Sequence, residues 1–223
     1  QGRGATAFGE PYAVRQDFDE LDWKLGAEFD AAPEVMLYAT VQTGYQPGTY
    51  NLFPPTPQRS NEVREAGLTA WSVGAKSRFL DGRLQLNTEL FFYDYRDLLV
   101  QSFNLNTALL TTFNADRVET WGKQLDLLWQ AGEHGRLKLS VGWLRARYER
   151  FGVPDDIDIG PGRRDFAGEP LQNAPDWTVS AGYQRDFPLA AGYLRARVES
   201  RYESAFWATF TQSRGTRQLD YTK

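Results

Sequence analysis

Tyr45, Tyr50 and Phe53 stand close together in a stretch broken by Gly and Pro. Aromatic faces and phenolic donors in that pattern suit stacking on a metal chelate, although a membrane-interface or loop-packing role explains them equally well. Arg163 and Arg164 follow Gly160-Pro161-Gly162, a turn whose backbone and guanidinium donors would suit an anion. No following helix supports a phosphate site there. Asp155, Asp156 and Asp158 could suggest calcium, but the segment lacks the spacing, glycine and closing glutamate of a calcium loop, so a solvated acidic loop is the plainer reading. Arg195, Arg197, Glu199 and Arg201 form a period-two polar stripe, suited to lining a solute path or to pairing with neighbouring strands in a hydrated wall. The single histidine, His134, lies in a Gly-flanked turn, and cysteine is absent. Disulfides, thiolate metal sites, cysteine nucleophiles and histidine-based triads therefore drop out, and no catalytic, metal or cofactor residues are assigned.

The 223 residues are 41% hydrophobic and 24% charged, a composition that folds rather than stays disordered. Aromatic residues make up 14%, yet mean hydropathy is -0.55 and no run of 18 apolar residues occurs, so no helix crosses a membrane. A net charge of -4 and a pI near 5.2 argue against nucleic acid as a partner.

The elements that must position these residues read as strands. Period-two alternation recurs over 21–30, 35–45, 71–80, 83–101, 118–130, 137–151, 176–187 and 193–207, and no segment of comparable length has helical periodicity. Many of these runs exceed the 5 or 6 residues usual in soluble domains and match the roughly 9 to 11 of a tilted bilayer-spanning strand. Tight connections at 31–34, 81–82, 131–135 and 188–192 alternate with long polar ones at 46–70, 102–117, 152–175 and 208–217. Asp81-Gly82 predicts a two-residue hairpin turn. Strict alternation of short and long connections in an up-and-down meander puts all tight turns at one end and all long loops at the other.

The faces agree. Trp71, Val73, Ala75 and Phe79 oppose Ser72, Gly74, Lys76 and Arg78, and Leu194, Ala196 and Val198 oppose Arg195, Arg197, Glu199 and Arg201. Such alternation fits a soluble sandwich with apolar residues inside, or a membrane barrel with apolar residues toward lipid and a wet lumen. Strand length and loop asymmetry favour the barrel, as do Trp23, Trp71, Trp121 and Trp177, expected near strand starts as an interfacial girdle. The expected fold is all-β: an antiparallel up-and-down transmembrane β-barrel, partial, with about eight strands of a larger one.

Several stretches resemble the C-terminal barrel of TonB-dependent outer-membrane receptors, in the iron-complex and siderophore branch. They are Trp23-Lys24-Leu25-Gly26-Ala27-Glu28-Phe29-Asp30 and Gly44-Tyr45-Gln46-Pro47-Gly48-Thr49-Tyr50-Asn51, where Gln46 and Thr49 depart from the family pattern. Val73-Gly74-Ala75-Lys76-Ser77-Arg78-Phe79-Leu80-Asp81-Gly82-Arg83-Leu84-Gln85-Leu86-Asn87 is the most specific, continuing through Phe91 to Leu98. Asn114-Ala115, Trp121-Gly122-Lys123-Gln124-Leu125-Asp126-Leu127 and Leu171-Gln172-Asn173-Ala174-Pro175 are also similar, with Ser72, Lys123 and Gln124 standing where the family pattern has Glu, Leu and Glu.

The resemblance implies a Gram-negative outer-membrane receptor for active uptake of a scarce solute, a ferric siderophore first, with no covalent reaction catalysed. It implies contact with TonB through a plug domain and with outer-membrane lipid, and a complete barrel of about 22 strands. Residues 1–223 are expected to be part of that barrel, with the plug and the last strands outside the chain and residues 1–20 as the tail of an earlier loop. Tyr45, Tyr50, Phe53, Arg163 and Arg164 are the expected ligand contacts. A passive porin-like or structural barrel, or a soluble carbohydrate-binding β protein, are the competing readings.

Overall fold

A computed structural model describes residues 2–5, 11–14, 19–51, 62–104, 109–153, 159 and 162–223. In chain order the strands are β1 (Gly2–Ala5), β2 (Pro11–Val14), β3 (Lys24–Ala32), β4 (Val35–Gln46), β5 (Thr49–Tyr50), β6 (Glu62–Val63), β7 (Ala66–Phe79), β8 (Leu84–Asn104), β9 (Leu109–Ala131), β10 (Gly135–Arg150), β11 (Trp177–Leu189), β12 (Gly192–Glu203), β13 (Phe206–Trp207), β14 (Arg217–Gln218) and β15 (Tyr221–Thr222). One antiparallel sheet runs β3-β4-β7-β8-β9-β10-β11-β12-β15, so its eight long strands pair in sequence order. Two-stranded ribbons β1-β2, β5-β6 and β13-β14 accompany it. Part of the stretch expected as a loop tail is therefore a small hairpin, β1-β2.

The registers carry the alternation across the whole sheet. Ladder pairs put Phe29, Leu37 and Ala75 on one face with Thr88, Leu125, Val141 and Val179. Trp71, Val73, Leu84, Leu86 and Leu139 share it. Among the described residues no second sheet covers this face, and Leu25, Val73, Leu90 and Val198 are all half or more exposed. A sandwich would bury them, so this is a lipid-facing surface.

Two rows of rings bound it. Phe79, Trp129 and Tyr183 lie on one connected set of ladder pairs toward the tight turns. Trp71, Phe92 and Trp121 lie on another toward the loops, with Trp143 and Trp177 beside them. Eight residues separate Trp121 from Trp129, about 26 Å along a strand and about 20 Å across a bilayer at the usual tilt, close to the height of a barrel's apolar band. The rings stand at the expected level, but not all at strand starts: β9 begins at Leu109, which leaves Trp121 in mid-strand.

The opposite face is polar and tightly joined. Tyr38 donates to Glu89 at 2.5 Å, Ser140 to Asp126 at 2.6 Å, and Thr40 and Ser72 share a hydrogen bond of 2.7 Å. Gly74 and Gly122 make this packing possible. A Cβ on Gly74 would lie 2.5 Å from both the Tyr38 ring and the Thr88 carbonyl, and one on Gly122 would lie 2.4 Å from the Trp143 carbonyl.

Several connections differ from the sequence reading, and 46–70 holds β5, β6 and the first residues of β7. The last ladder pair before the Asp81-Gly82 turn is Phe79 with Leu84, so the connection has four residues, with Leu80, Asp81 and Gly82 all at positive φ. The stretch 102–117 is mostly strand: β8 and β9 stay paired out to Asn104 and Leu109.

Candidate ligand-binding surface at the loop end

Strands β8 and β9 have 21 and 23 residues, about twice what a bilayer crossing needs, so they extend past the Trp71–Phe92–Trp121 row as a protruding ribbon. Asp97 takes a left-handed φ of 52°, and beyond it Leu98, Val100, Phe113 and Ala115 join the cluster that Tyr95 and Val118 begin. A small hydrophobic lobe forms there. Tyr148, Phe166 and Phe210 are almost fully buried, with Phe151 and Phe166 5.0 and 5.1 Å from the Phe210 ring and Phe113 6.1 Å away. Phe151 and Phe166 come from the 151–176 connection and Phe210 from the 204–216 connection, so two loops are sealed against one ribbon. Backbone bonds shape the first of these loops: Val153 N–H donates to the Arg164 carbonyl at 2.9 Å and Phe166 N–H to that of Phe151 at 2.8 Å.

The loop between β4 and β7 is fastened to the same ribbon by side chains that imitate backbone. Asn51, buried, donates to the Thr112 carbonyl at 3.0 Å and accepts from its N–H at 2.7 Å. Asn114 does the reverse from the ribbon, accepting from Arg64 N–H at 2.9 Å and donating to the Arg64 carbonyl at 2.9 Å and the Asp97 carbonyl at 2.8 Å. The Arg64 guanidinium pairs with Asp97 and lies 3.6 Å from Asp116. The Asp97 hydrogen bond holds Arg64 above its ordinary pKa. Nearby, desolvation and a hydrogen bond with Glu20 push the Glu65 carboxyl up.

The expected contact residues fall on different parts of this surface. Tyr45 is the last but one residue of β4, on the lipid-facing parity opposite Gly67, at the rim of a groove of about 500 Å³ that also takes in Glu20, Glu65, Asp94 and Asp97. Tyr50 lies in β5 opposite Glu62. Arg163 is exposed and pairs with Glu169, and Arg164 is half-buried, both within the 151–176 loop. Phe53, the acids Asp155, Asp156 and Asp158, and Gly160 and Pro161 lie outside the described residues. Tyr50 and the arginines thus sit on separate loops, both fastened to the β8-β9 ribbon, while Tyr45 sits in β4. On the polar wall, Arg195 makes a two-pronged bond to Asp186 at 2.7 and 2.9 Å, Arg201 bonds Glu203 at 2.7 Å, and Arg197 pairs with Glu199. Among the described residues no group of three or more His, Cys, Asp or Glu is placed to hold a metal ion.

Sequence reasoning missed Asn51, Arg64, Asp97 and Asn114 as a joint. Asp97, a poor strand former inside the 83–101 run, was the one local irregularity, while Asn51, Arg64 and Asn114 lay in stretches read as loop.

The profile of the family described as "TonB dependent receptor-like, beta-barrel" matches residues 2–222. The solved ferric yersiniabactin uptake receptor FyuA from Yersinia pestis is 16% identical with a TM-score of 0.74, over 97% of this chain and 31% of that one. The siderophore receptor PiuA from Acinetobacter baumannii is 14% identical with a TM-score of 0.72, over 98% and 30%. The ferric-catecholate import receptor Fiu from K12 E. coli is 15% identical with a TM-score of 0.65, over 96% and 29%. The chain spans about a third of the length of these structures.

Proposed function

The chain belongs to the TonB-dependent receptor β-barrel family, and from that premise we propose that it supplies part of the wall and outside binding surface of an active uptake receptor in the Gram-negative outer membrane. The cargo that fits best is a ferric siderophore, in keeping with the named cargo of the similar structures. The carrying observation is the loop end itself. Three connections are locked onto one protruding ribbon, and the rigid rim this makes supports a binding role, with Tyr50, Arg163 and Arg164 of its loops and Tyr45 beside it as the proposed contacts. The role is binding and passage, without covalent chemistry. Energy would come from TonB acting through a plug domain in the whole receptor, of which 1–223 form barrel.

Binding of a panel of ferric siderophores to the purified full-length receptor, followed by quenching of its tryptophan fluorescence, tests this. The intact receptor should bind at least one tightly. Removing the tip of the 152–175 or the 46–70 loop should weaken that binding at least about 10-fold, about 1.4 kcal/mol, while the barrel still folds. Unchanged binding with both tips removed would place the site elsewhere.

A further inference from the structure

Lys123 is out of keeping with its surroundings. It belongs to the lipid-facing set of β9, opposite Leu90 on one side and Trp143 on the other, and it is exposed. One step toward the loops, Trp121 faces Arg145 across the β9-β10 ladder. Two cations and two indoles therefore form a square on the outer surface, with Trp121 and Trp143 edge-to-face at 4.8 Å and the Lys123 ammonium 5.7 Å from the Trp143 ring. Arg195, Arg197 and Arg201 of the polar wall each meet a carboxylate, whereas among the described residues Lys123 and Arg145 have none within ion-pair reach.

Lys123 stands two residues inside the Trp121 level, about 7 Å along the strand, so its flexible stem can carry the ammonium up to the interface. A lysine on this face is destabilising, less so near the interface than at greater depth, and an anion at the boundary would offset that cost. The surface beside it is shaped to hold more than a headgroup. A hollow of about 790 Å³ runs between Trp71, Val73, Leu90, Phe92 and Trp121, and another of about 930 Å³ between Leu125, Val141 and Trp177; both take in Lys123 and Trp143.

We propose that this square is a binding site for a phosphorylated glycolipid of the outer leaflet. Its phosphate bridges Lys123 and Arg145, its sugar lies against Trp121 and Trp143, and its acyl chains fill the two hollows. Arg145 supplies a planar fork suited to two phosphate oxygens, and Lys123 a point charge. The proposal rests on the outer-membrane reading of the fold, and its test reads the two apart.

Full-length receptor, purified in mild detergent, would be exchanged against lipid A and against lipid A stripped of its phosphates, and the retained lipid counted by native mass spectrometry. Gel mobility before and after heating reports separately that the barrel is folded. The folded wild type should retain phosphorylated lipid A at least about 10-fold better than the phosphate-free form. Lys123→Gln with Arg145→Gln should erase that preference, Lys123→Arg should keep it, and lumenal Lys138→Gln should leave it unchanged. Equal retention of the two lipids by the folded wild type, or an undiminished preference in the folded double variant, would overturn the site. A receptor whose gel mobility ignores heating would instead count against the barrel reading.

Discussion

At the scale of single residues, the joint between loop and ribbon depends on two amides that replace strand backbone. Each of Asn51 and Asn114 satisfies an N–H and a carbonyl of its partner. Asn51→Ala leaves both Thr112 groups without partners, a loss of about 1 to 3 kcal/mol where they remain desolvated. The Thr112 amide should exchange with solvent faster in that variant, and Asn51→Asp, which keeps the acceptor only, should fall between. Gly74→Ala is a different kind of change, because the added carbon meets a backbone carbonyl that cannot rotate away. It should cost about 1 to 3 kcal/mol in a reversible membrane-folding titration. Neither Asn51 nor Asn114 could be recognised as a clamp from sequence, since their partners are 61 and 50 residues away and nothing local marks the pairing.

At the scale of elements, the spanning parts of the strands were legible because lipid on one side and water on the other impose alternation residue by residue. Strands β3, β4, β10, β11 and β12 lie close to where the pattern put them. That pressure ends above the Trp71–Phe92–Trp121 row. Leu98-Leu99-Val100 breaks alternation where Leu98 and Val100 join the cluster formed with the loops, and backbone pairing keeps the ribbon extended. The 102–117 stretch consequently read as loop. The facing assignment makes a depth-dependent forecast: Leu125 sits midway between the two aromatic rows, and Leu125→Arg should cost about 2 to 4 kcal/mol, while Gln124→Arg on the polar wall should be mild. Equal costs in a membrane-folding titration would reverse the faces. Phe210 unites two loops and the ribbon, so Phe210→Ala should cost about 3 to 5 kcal/mol locally and raise protease cleavage in both 151–176 and 204–216.

At the scale of the whole molecule, the sheet is a wall whose outer surface is fitted to lipid and whose loop end is a rigid rim. A passive barrel needs the wall; a rim held by Asn51, Arg64, Asn114 and a buried aromatic lobe is suited to a binding surface that must keep its shape. The central claim is energised uptake of a ferric chelate bound at that rim. The most direct measurement is entry of radiolabelled ferric siderophore into cells that carry the full-length receptor, with and without TonB, for the intact rim and for one lacking the 46–70 and 152–175 tips. Saturable uptake that needs both TonB and the intact rim is the predicted result. Uptake at the same rate without TonB, or with both tips removed, would contradict it.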